Sequence, residues 1–160
     1  MSARPLSKRE RLEATKVFQN TIPHDKVALT GSLGIGDRPF TSPNPWPWDW
    51  EAWDINFGTD QYWQRKMAKY GVIYYWQTLI HELTHVWQGH NSIFPIGYVF
   101  NSIWHQIVDS DAYKYSPGQA WGDYNVEQQA HLVEDWYANG CRRDDPRFPY
   151  IRDYVWQRRA

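Results

Sequence analysis

The segment that determines the fold reads Leu79-Ile80-His81-Glu82-Leu83-Thr84-His85-Val86-Trp87-Gln88, near the middle of the chain. His81 and His85 are four residues apart, so on a helix their side chains lie about 40° apart and one turn from each other. The other positions are mostly apolar, which is typical of a helix buried in the body of a domain. Two imidazoles and a carboxylate would be costly to bury there without partners. The segment therefore predicts a buried helix whose polar residues face a cleft.

This spacing suits the chemistry of a metal-dependent hydrolase. Two imidazoles one helical turn apart can bind one tetrahedral zinc ion. Glu82 lies about 100° around the helix from His81, where it can reach a zinc-bound water without occupying a ligand position. Zinc lowers the pKa of such a water to about 7, and a carboxylate can then remove its proton during attack on a carbonyl. We therefore predict His81 and His85 as metal ligands and Glu82 as the general base, against the alternative of incidental polar residues on a helix.

A catalytic zinc site needs a third protein ligand, and a later amphipathic segment, residues 124–136, is the best source. Glu127, His131 and Glu134 form a polar stripe beside its apolar face, and small Ala130 would let the two helices approach closely. We predict Glu127 as the third ligand. The alternatives that the sequence leaves open are Glu134, His131, Asp109, Asp111, Asp135 and Cys141.

Two supporting roles are less well defined by the sequence. A zinc-bound histidine usually donates its second N–H to an acceptor, for which Glu134, Asp135 or a backbone carbonyl could serve, and His131 only through a neutral nitrogen. Hydrolysis also needs a donor to the developing oxyanion. The candidates for that donor are Tyr124, Tyr113, His105 and Tyr137.

The remaining segments predict an α+β fold in one domain, residues 1–160. Ser7 can cap a first helix over 8–20, which Pro23 follows. A strand at 26–30, a glycine turn and a return strand at 38–41 then predict a hairpin, and a further short strand is predicted at 53–57. The later helices are predicted at 60–70, 72–88 with Gly89 as the stop, 98–108, 124–138 and 150–157. The predicted architecture is a short antiparallel sheet followed by a helical body.

Composition limits the classes of partner. The 160 residues carry a formal net charge of −1, which gives no electrostatic footprint for nucleic acid or for an anionic membrane. No apolar run approaches the roughly 20 residues of a membrane span, and the charged N-terminus lacks the apolar core of a signal peptide. One cysteine, Cys141, excludes an intrachain disulfide. We expect a protein made in a reducing compartment that binds neither nucleic acid nor membrane.

Aromatic residues make up 18% of the chain, including 11 tryptophans. Trp46, Trp48, Trp50 and Trp53 fall in one stretch that is partly spaced by prolines. Large aromatics often fill the core of a small domain, whereas proline-rich segments lie on surfaces. The stretch is therefore interpreted either as core or as a platform that grips a peptide or a sugar.

The segment His81–Gln88 resembles the signature of bacterial toxin-type zincins, and Glu127-Gln128-Gln129-Ala130 resembles the glutamate helix of the gluzincin branch. The early segment, residues 22–41, is also similar. The resemblance is to the metallopeptidase extension found on some type VI secretion spike (VgrG) proteins and in Rhs-associated effectors. It covers the chain from about residue 18 to residue 136. Gluzincins often carry an acid a few residues after the ligand glutamate to hold a ligand histidine, whereas the fourth residue after Glu127 in this chain is His131.

The resemblance implies a zincin-like fold, a Zn²⁺ cofactor and the activity of a zinc metalloendopeptidase. It implies that His81, His85 and Glu127 bind zinc and that Glu82 is the catalytic base. It also implies a bacterial effector or toxin that is made in the cytoplasm without a signal peptide and secreted into a target cell. The expected partners are a protein or peptide substrate, a cognate immunity protein, and a secretion spike or chaperone.

Two other hypotheses fit the same residues. A zinc amidase acting on cell-wall peptides or acylated sugars would use the same metal chemistry, with the tryptophan-rich stretch as a sugar platform. A non-catalytic binding module would use zinc only for stability. The module predicts a closed site with four protein ligands, drawing on Cys141 or His131.

Overall fold

The computed structural model describes residues 3–44, 52–92 and 114–160. These residues form a mixed α+β fold in which a small four-stranded sheet packs against helices. The predicted helix at 98–108 and three of the four clustered tryptophans, Trp46, Trp48 and Trp50, lie outside the described residues.

The sheet consists of β1 (Arg4–Pro5), β2 (Val27–Thr30), β3 (Phe40–Pro43) and β4 (Trp53–Asn56), in the spatial order β1-β2-β4-β3. β2 pairs in parallel with β4, and β3 pairs antiparallel with β4. The predicted antiparallel sheet and the β2–β3 hairpin are therefore wrong, because β4 lies between these two strands. Val27 and Leu29 of β2 and Trp53 and Ile55 of β4 all point into the core, and the parallel register places these two pairs side by side.

The first helix, α1 (Lys8–Phe18), is anchored to the sheet and to the central helix by Glu10. The Glu10 carboxylate accepts from the backbone N–H of its N-cap Ser7 at 2.6 Å and from Arg4 through two bonds of 2.8 Å. It also accepts the hydroxyl proton of Tyr75. Burial raises the pKa of Glu10, but these hydrogen bonds outweigh it and lower the pKa to about 2. One buried carboxylate thus joins three elements of the fold.

Glu10→Gln is expected to destabilise the protein by about 2–4 kcal/mol at pH 7, because it removes one partner of a buried ionic network. The folded-state pKa of Glu10 is below its unfolded value, so its contribution is present above about pH 4.5 and is lost as pH falls toward 2. Urea unfolding at pH 7 and pH 3 should therefore show a smaller difference between wild type and variant at pH 3. Asp25→Asn, an exposed acid also paired with an arginine, should change little at either pH; equal losses at both values would contradict the prediction.

Two consecutive helices follow the sheet, α2 (Asp60–Tyr70) and α3 (Val72–Asn91), and Gly71 with φ of 85° separates them. α3 continues past Gly89, which was predicted to stop it. The backbone there is helical, and glycine is required because the position has no room for a side chain. A Cβ on Gly89 would lie 2.1 Å from the ring of Trp53. Gly89 therefore marks the contact between α3 and β4 and not a helix end.

Gly89→Ala is expected to destabilise the protein by about 1–3 kcal/mol, since the new methyl group overpacks the contact with Trp53. Helix propensity alone would give the opposite sign, because alanine favours a helix interior over glycine by up to about 1 kcal/mol. The free energy of unfolding in urea measures the effect. Gly122→Ala, where a Cβ meets nothing within 4 Å, is the matched control. A stabilised Gly89→Ala protein would show that Trp53 does not occupy this space.

The C-terminal part packs α4 (Val126–Ala138) along α3. Asn125 and Gln128 form a capping box at the start of α4. The chain then closes with α5 (Phe148–Tyr150), which continues into a wide π-type turn at Ile151–Val155. Among the described residues, no helix is both long and apolar enough to cross a lipid bilayer.

Tryptophans and tyrosines fill much of the core of the described residues. Trp53, Trp63, Trp87, Trp121 and Trp136 are all buried. The indole N–H of Trp87 donates to the carbonyl of Val155 at 3.1 Å, and that of Trp136 donates to the carbonyl of Arg142 at 2.8 Å. For Trp53, the member of the aromatic stretch that the structure describes, the core interpretation is the correct one.

Candidate metal centre

The packing of α4 against α3 brings together the two histidines of the central segment and the first acid of the later one. His81 Nε2 lies 3.2 Å from His85 Nε2. Glu127 places one carboxylate oxygen 3.2 Å from His81 Nε2 and the other 3.3 Å from His85 Nε2. These three side chains form a group that could hold a metal ion.

The spacing of the three groups agrees with the requirements of a small cation. Ligand atoms at 2.0–2.1 Å around a tetrahedral ion are separated from one another by about 3.3 Å. The two Nε2 atoms are 3.2 Å apart, and each has a different oxygen of the Glu127 carboxylate 3.2 or 3.3 Å away. The His81, His85 and Glu127 side chains are 13%, 7% and 10% exposed, so the group is nearly, though not completely, shielded from water.

The outer nitrogens of both imidazoles have acceptors of their own. His81 Nδ1 lies 2.9 Å from a carboxylate oxygen of Glu134, and His85 Nδ1 lies 2.8 Å from Oε1 of Gln88. A carboxylate or an amide oxygen can only accept here, so each Nδ1 carries a proton. In the neutral imidazole, Nε2 then has a free lone pair. Both lone pairs point to the same place as the Glu127 carboxylate, which is the arrangement of a metal ligand set.

The charges of the cluster favour a cation. Burial lowers the pKa of His81, but the hydrogen bonds to Glu127 and Glu134 outweigh it, and the pKa is raised well above its usual value. The pKa of His85 is likewise raised, because the attraction of Glu127 exceeds the effect of burial. Burial raises the pKa of Glu127, yet the two imidazoles lower it far below its usual range. The Glu127 carboxylate therefore favours positive charge beside it, which a divalent cation could supply in place of protons.

Glu82 is held near this group by a contact with the sheet. It is 5% exposed, and its carboxylate accepts the hydroxyl proton of Thr41 at 2.8 Å. Thr41 lies on β3, at one edge of the described sheet. Burial raises the pKa of Glu82, while the imidazoles and the Thr41 hydroxyl oppose this, and the net direction is upward. A carboxylate with a raised pKa is a stronger base than an exposed one.

A second group of three could in principle hold an ion: His81, His131 and Glu134. However, the Glu134 oxygen already receives the His81 Nδ1 proton at 2.9 Å, whereas His131 Nδ1 lies 3.7 Å from it. The rings of His81 and His131 meet edge to face at 5.3 Å between centroids. In this structure, Glu134 therefore accepts the hydrogen bond from His81 Nδ1, and His131 lies next to both residues.

The candidate oxyanion donors that the structure describes are engaged elsewhere. The Tyr124 hydroxyl donates to the carbonyl of Ser116 at 2.7 Å, and the Tyr137 hydroxyl donates to Glu13 at 2.9 Å. In this structure their protons are directed away from the cluster, and a role for either hydroxyl as oxyanion donor stays a prediction. The remaining candidates, Tyr113 and His105, lie outside the described residues.

The other alternative ligands likewise contact other groups or lie outside the described residues. Asp135 accepts the Tyr115 hydroxyl at 2.6 Å. Cys141 is in neither of the two candidate groups found among the described residues, and burial raises the pKa of its thiol. Asp109 and Asp111 lie outside the described part of the chain. Of the acids considered for the third ligand that the structure describes, Glu127 is the one that meets both Nε2 atoms.

Sequence reasoning missed three polar residues of the site: Thr41, Gln88, and Gln129, whose amide oxygen accepts from Gln88 at 2.9 Å. Gln88 follows His85 by three residues, so helical spacing alone could have suggested a contact. Gln129 is two residues after Glu127, which would place it on a different face of α4. Thr41 carries no signal of this kind, because its contact with Glu82 spans 41 residues of sequence.

Comparison with known proteins gives a partial match. No family model matches the chain, and no solved structure matches it. A stretch of 60 residues, 36% of this chain, is 37% identical to the type VI secretion system spike protein VgrG2b of Pseudomonas aeruginosa. The match spans only 6% of the length of that protein. The similarity links part of the chain to a type VI secretion spike and fits the spike protein context of the resemblance seen in the sequence.

Proposed function

We propose that the chain is a zinc-dependent peptidase, with His81, His85 and Glu127 as the zinc ligands and Glu82 as the general base. The observation that carries this proposal is the convergence of two imidazole Nε2 atoms and one carboxylate at mutual distances of 3.2–3.3 Å. Two nitrogens and one oxygen are the ligand set of one class of catalytic zinc site, in which three protein ligands leave a fourth position open.

The roles of the protein groups follow from their positions. When bound, zinc would supply a Lewis acid that polarises a carbonyl and lowers the pKa of a water molecule. Glu82 accepts the proton of the attacking water as oxygen adds to the carbonyl carbon, and it returns that proton to the amine as the C–N bond breaks. Thr41 holds the carboxylate in place through its 2.8 Å hydrogen bond. The raised pKa of Glu82 suits both halves of this transfer.

The secretion context is part of the proposal. The partial identity with a VgrG spike protein supports delivery of this domain by a type VI secretion system, as an effector acting in a target cell. A spike protein would be its carrier, and a cognate immunity protein would protect the producing cell. Its substrate is then a protein or peptide of the target cell.

Proteolysis by the purified chain tests the proposal. The protein is stripped of metal with a chelator, reloaded with zinc, and incubated with an unfolded protein such as casein and, separately, with purified peptidoglycan. We expect chelator-sensitive cleavage of the protein substrate that returns with zinc. Cleavage of peptidoglycan alone would reject the peptidase in favour of a cell-wall amidase.

The same experiment separates the enzyme from a zinc-stabilised binding module. The module predicts one tightly held zinc ion per chain, no hydrolysis of either substrate, and four protein ligands to the metal. In the described part of the chain, three side chains converge on the site, and Cys141, which the module could use as a fourth ligand, is not among them. Three converging protein ligands with Glu82 nearby support the enzyme, because a catalytic zinc site has three protein ligands.

A further inference from the structure

A chain of buried side-chain amides runs from the cluster into the first turn of α4. Oε1 of Gln88 lies 2.8 Å from His85 Nδ1. Nε2 of Gln88 donates to the carbonyl of Val126 and to Oε1 of Gln129, both at 2.9 Å. Gln88 and Gln129 are 7% and 8% exposed, so neither amide can exchange these partners freely for water.

The orientation of these two amides is fixed by the contacts of Gln129 within the C-terminal part of the fold. Nε2 of Gln129 donates to the carbonyls of Trp121 at 3.2 Å and Tyr124 at 3.4 Å. Backbone carbonyls only accept, so the amide nitrogen of Gln129 must face them, and its oxygen must face Gln88. By the same argument, the Gln88 nitrogen faces Val126 and Gln129. Its oxygen is left for His85.

We propose that Gln88 and Gln129 act as positioning residues that keep the proton of His85 on Nδ1 and aim its Nε2 lone pair at the metal. This inference rests on the proposed function, because it assigns these residues to the same site. A flipped Gln88 amide would place its NH₂ group against the Nδ1–H group of His85, so that two donors would face each other. It would also break both hydrogen bonds from Gln88 to α4. Reversing the orientation of the two amides would therefore break several buried hydrogen bonds at once.

The same hydrogen-bonded amides link His85 to Glu127, the proposed third ligand. Glu127 lies between Val126 and Gln129, the two residues that accept from Gln88. A shift of α4 along α3 would therefore disturb the Gln88 amide and the Glu127 carboxylate together. His81 depends on a charged acceptor, Glu134, instead. The two histidines thus have different supports, and each can be altered separately.

Gln88→Met tests the inference, because it preserves side-chain length and removes both the acceptor and the donor. We expect the zinc affinity, measured by competition with a chromophoric chelator, to fall by about 10- to 100-fold. In the zinc-loaded protein, the Hδ1 proton of His85 should exchange slowly with water in the wild type and rapidly in the variant, as read from ¹H–¹⁵N NMR. Hδ1 of His81, held by Glu134, should remain protected in both and is the internal reference.

The matched control is Gln61→Met, the same substitution at an exposed position of α2, which should leave zinc affinity unchanged. A role in folding alone would lower stability but would leave the zinc affinity of the folded protein and the His85 exchange rate unaltered. That result would overturn the inference. If Gln88→Met fails to fold, Gln129→Met takes its place: it retains the Gln88–His85 contact and should weaken zinc binding by less than the roughly 10- to 100-fold expected for Gln88→Met, and unchanged binding would contradict the inference.

The wild type also supplies a check that needs no variant. Rapid exchange of His85 Hδ1 in the zinc-loaded wild type would contradict the inference directly. Zinc binding that is indifferent to Gln88 would reject the positioning role and leave the proposed peptidase intact. Zinc binding without any Glu82-dependent hydrolysis would reject the peptidase and leave the positioning role intact, whereas a chain that binds no zinc would reject both.

Discussion

Glu82→Gln is expected to lower kcat by about 10²- to 10⁴-fold while the protein keeps its full content of zinc. The amide has the shape of the carboxylate but cannot accept the proton of the attacking water. The Thr41 hydroxyl can still donate to the amide oxygen, so the contact between β3 and α3 should survive. The measurements are zinc per chain by mass spectrometry and initial rates on an unfolded protein substrate.

The outcome of this experiment depends on separating base catalysis from metal loss. Glu13→Gln, the same substitution at an acid that bonds Lys16 and Tyr137 outside the cluster, should retain wild-type turnover. A Glu82→Gln protein with full activity would show that another group removes the proton. A protein that lost its zinc in proportion to its activity would make Glu82 a ligand and not a base.

Glu127→Gln is expected to weaken zinc binding by more than about 100-fold. Loss of a directly coordinating carboxylate should exceed the 10- to 100-fold effect of losing a group that supports a ligand. The substitution also removes the negative charge that lies against both Nε2 atoms. Glu134→Gln, which alters only the acceptor behind His81, should fall within the smaller range. The comparison of these two variants therefore tests which acid binds the metal.

Thermodynamic linkage gives an independent measurement of the same difference. Zinc present at about 1,000 times its Kd should raise the free energy of unfolding of the wild type by about 4 kcal/mol. At the same zinc concentration, Glu127→Gln should gain much less, because its site is far from saturated. Urea unfolding with and without zinc provides both values. A larger loss for Glu134→Gln than for Glu127→Gln would exchange the roles of the two acids.

Local spacing predicted much of the helical part of the fold. The predicted range 60–70 agrees with α2, which has Thr59 as its N-cap, and the predicted start at 72 and end at 138 agree with α3 and α4. These signals work because helix boundaries depend on the hydrogen bonds of nearby backbone groups. The prediction that Gly89 ends the helix was wrong, because glycine is required there by the nearby ring of Trp53 and not by the backbone conformation.

The sheet was predicted less well. Strands near residues 27, 40 and 53 are present, but their order could not be deduced, because strand pairing depends on contacts between distant segments. β2 and β4 pair in parallel although 22 residues, 31 to 52, lie between them. The strand order also affects the candidate site, because it places β3 at the edge of the described sheet, where Thr41 contacts Glu82.

For the candidate site, the sequence by itself determined that His81 and His85 share one face of a helix, with Glu82 beside them. That result needs only the 3.6-residue period of the helix. Which of Glu127, His131 and Glu134 faces the two Nε2 atoms depends on how α4 lies against α3, and only the tertiary structure decided it. The same packing directed Glu134 to His81 Nδ1 and Gln88 to His85 Nδ1. Helix geometry is local and can be computed from spacing, whereas the rotation of one helix against another is set by the shapes of all the side chains packed between them.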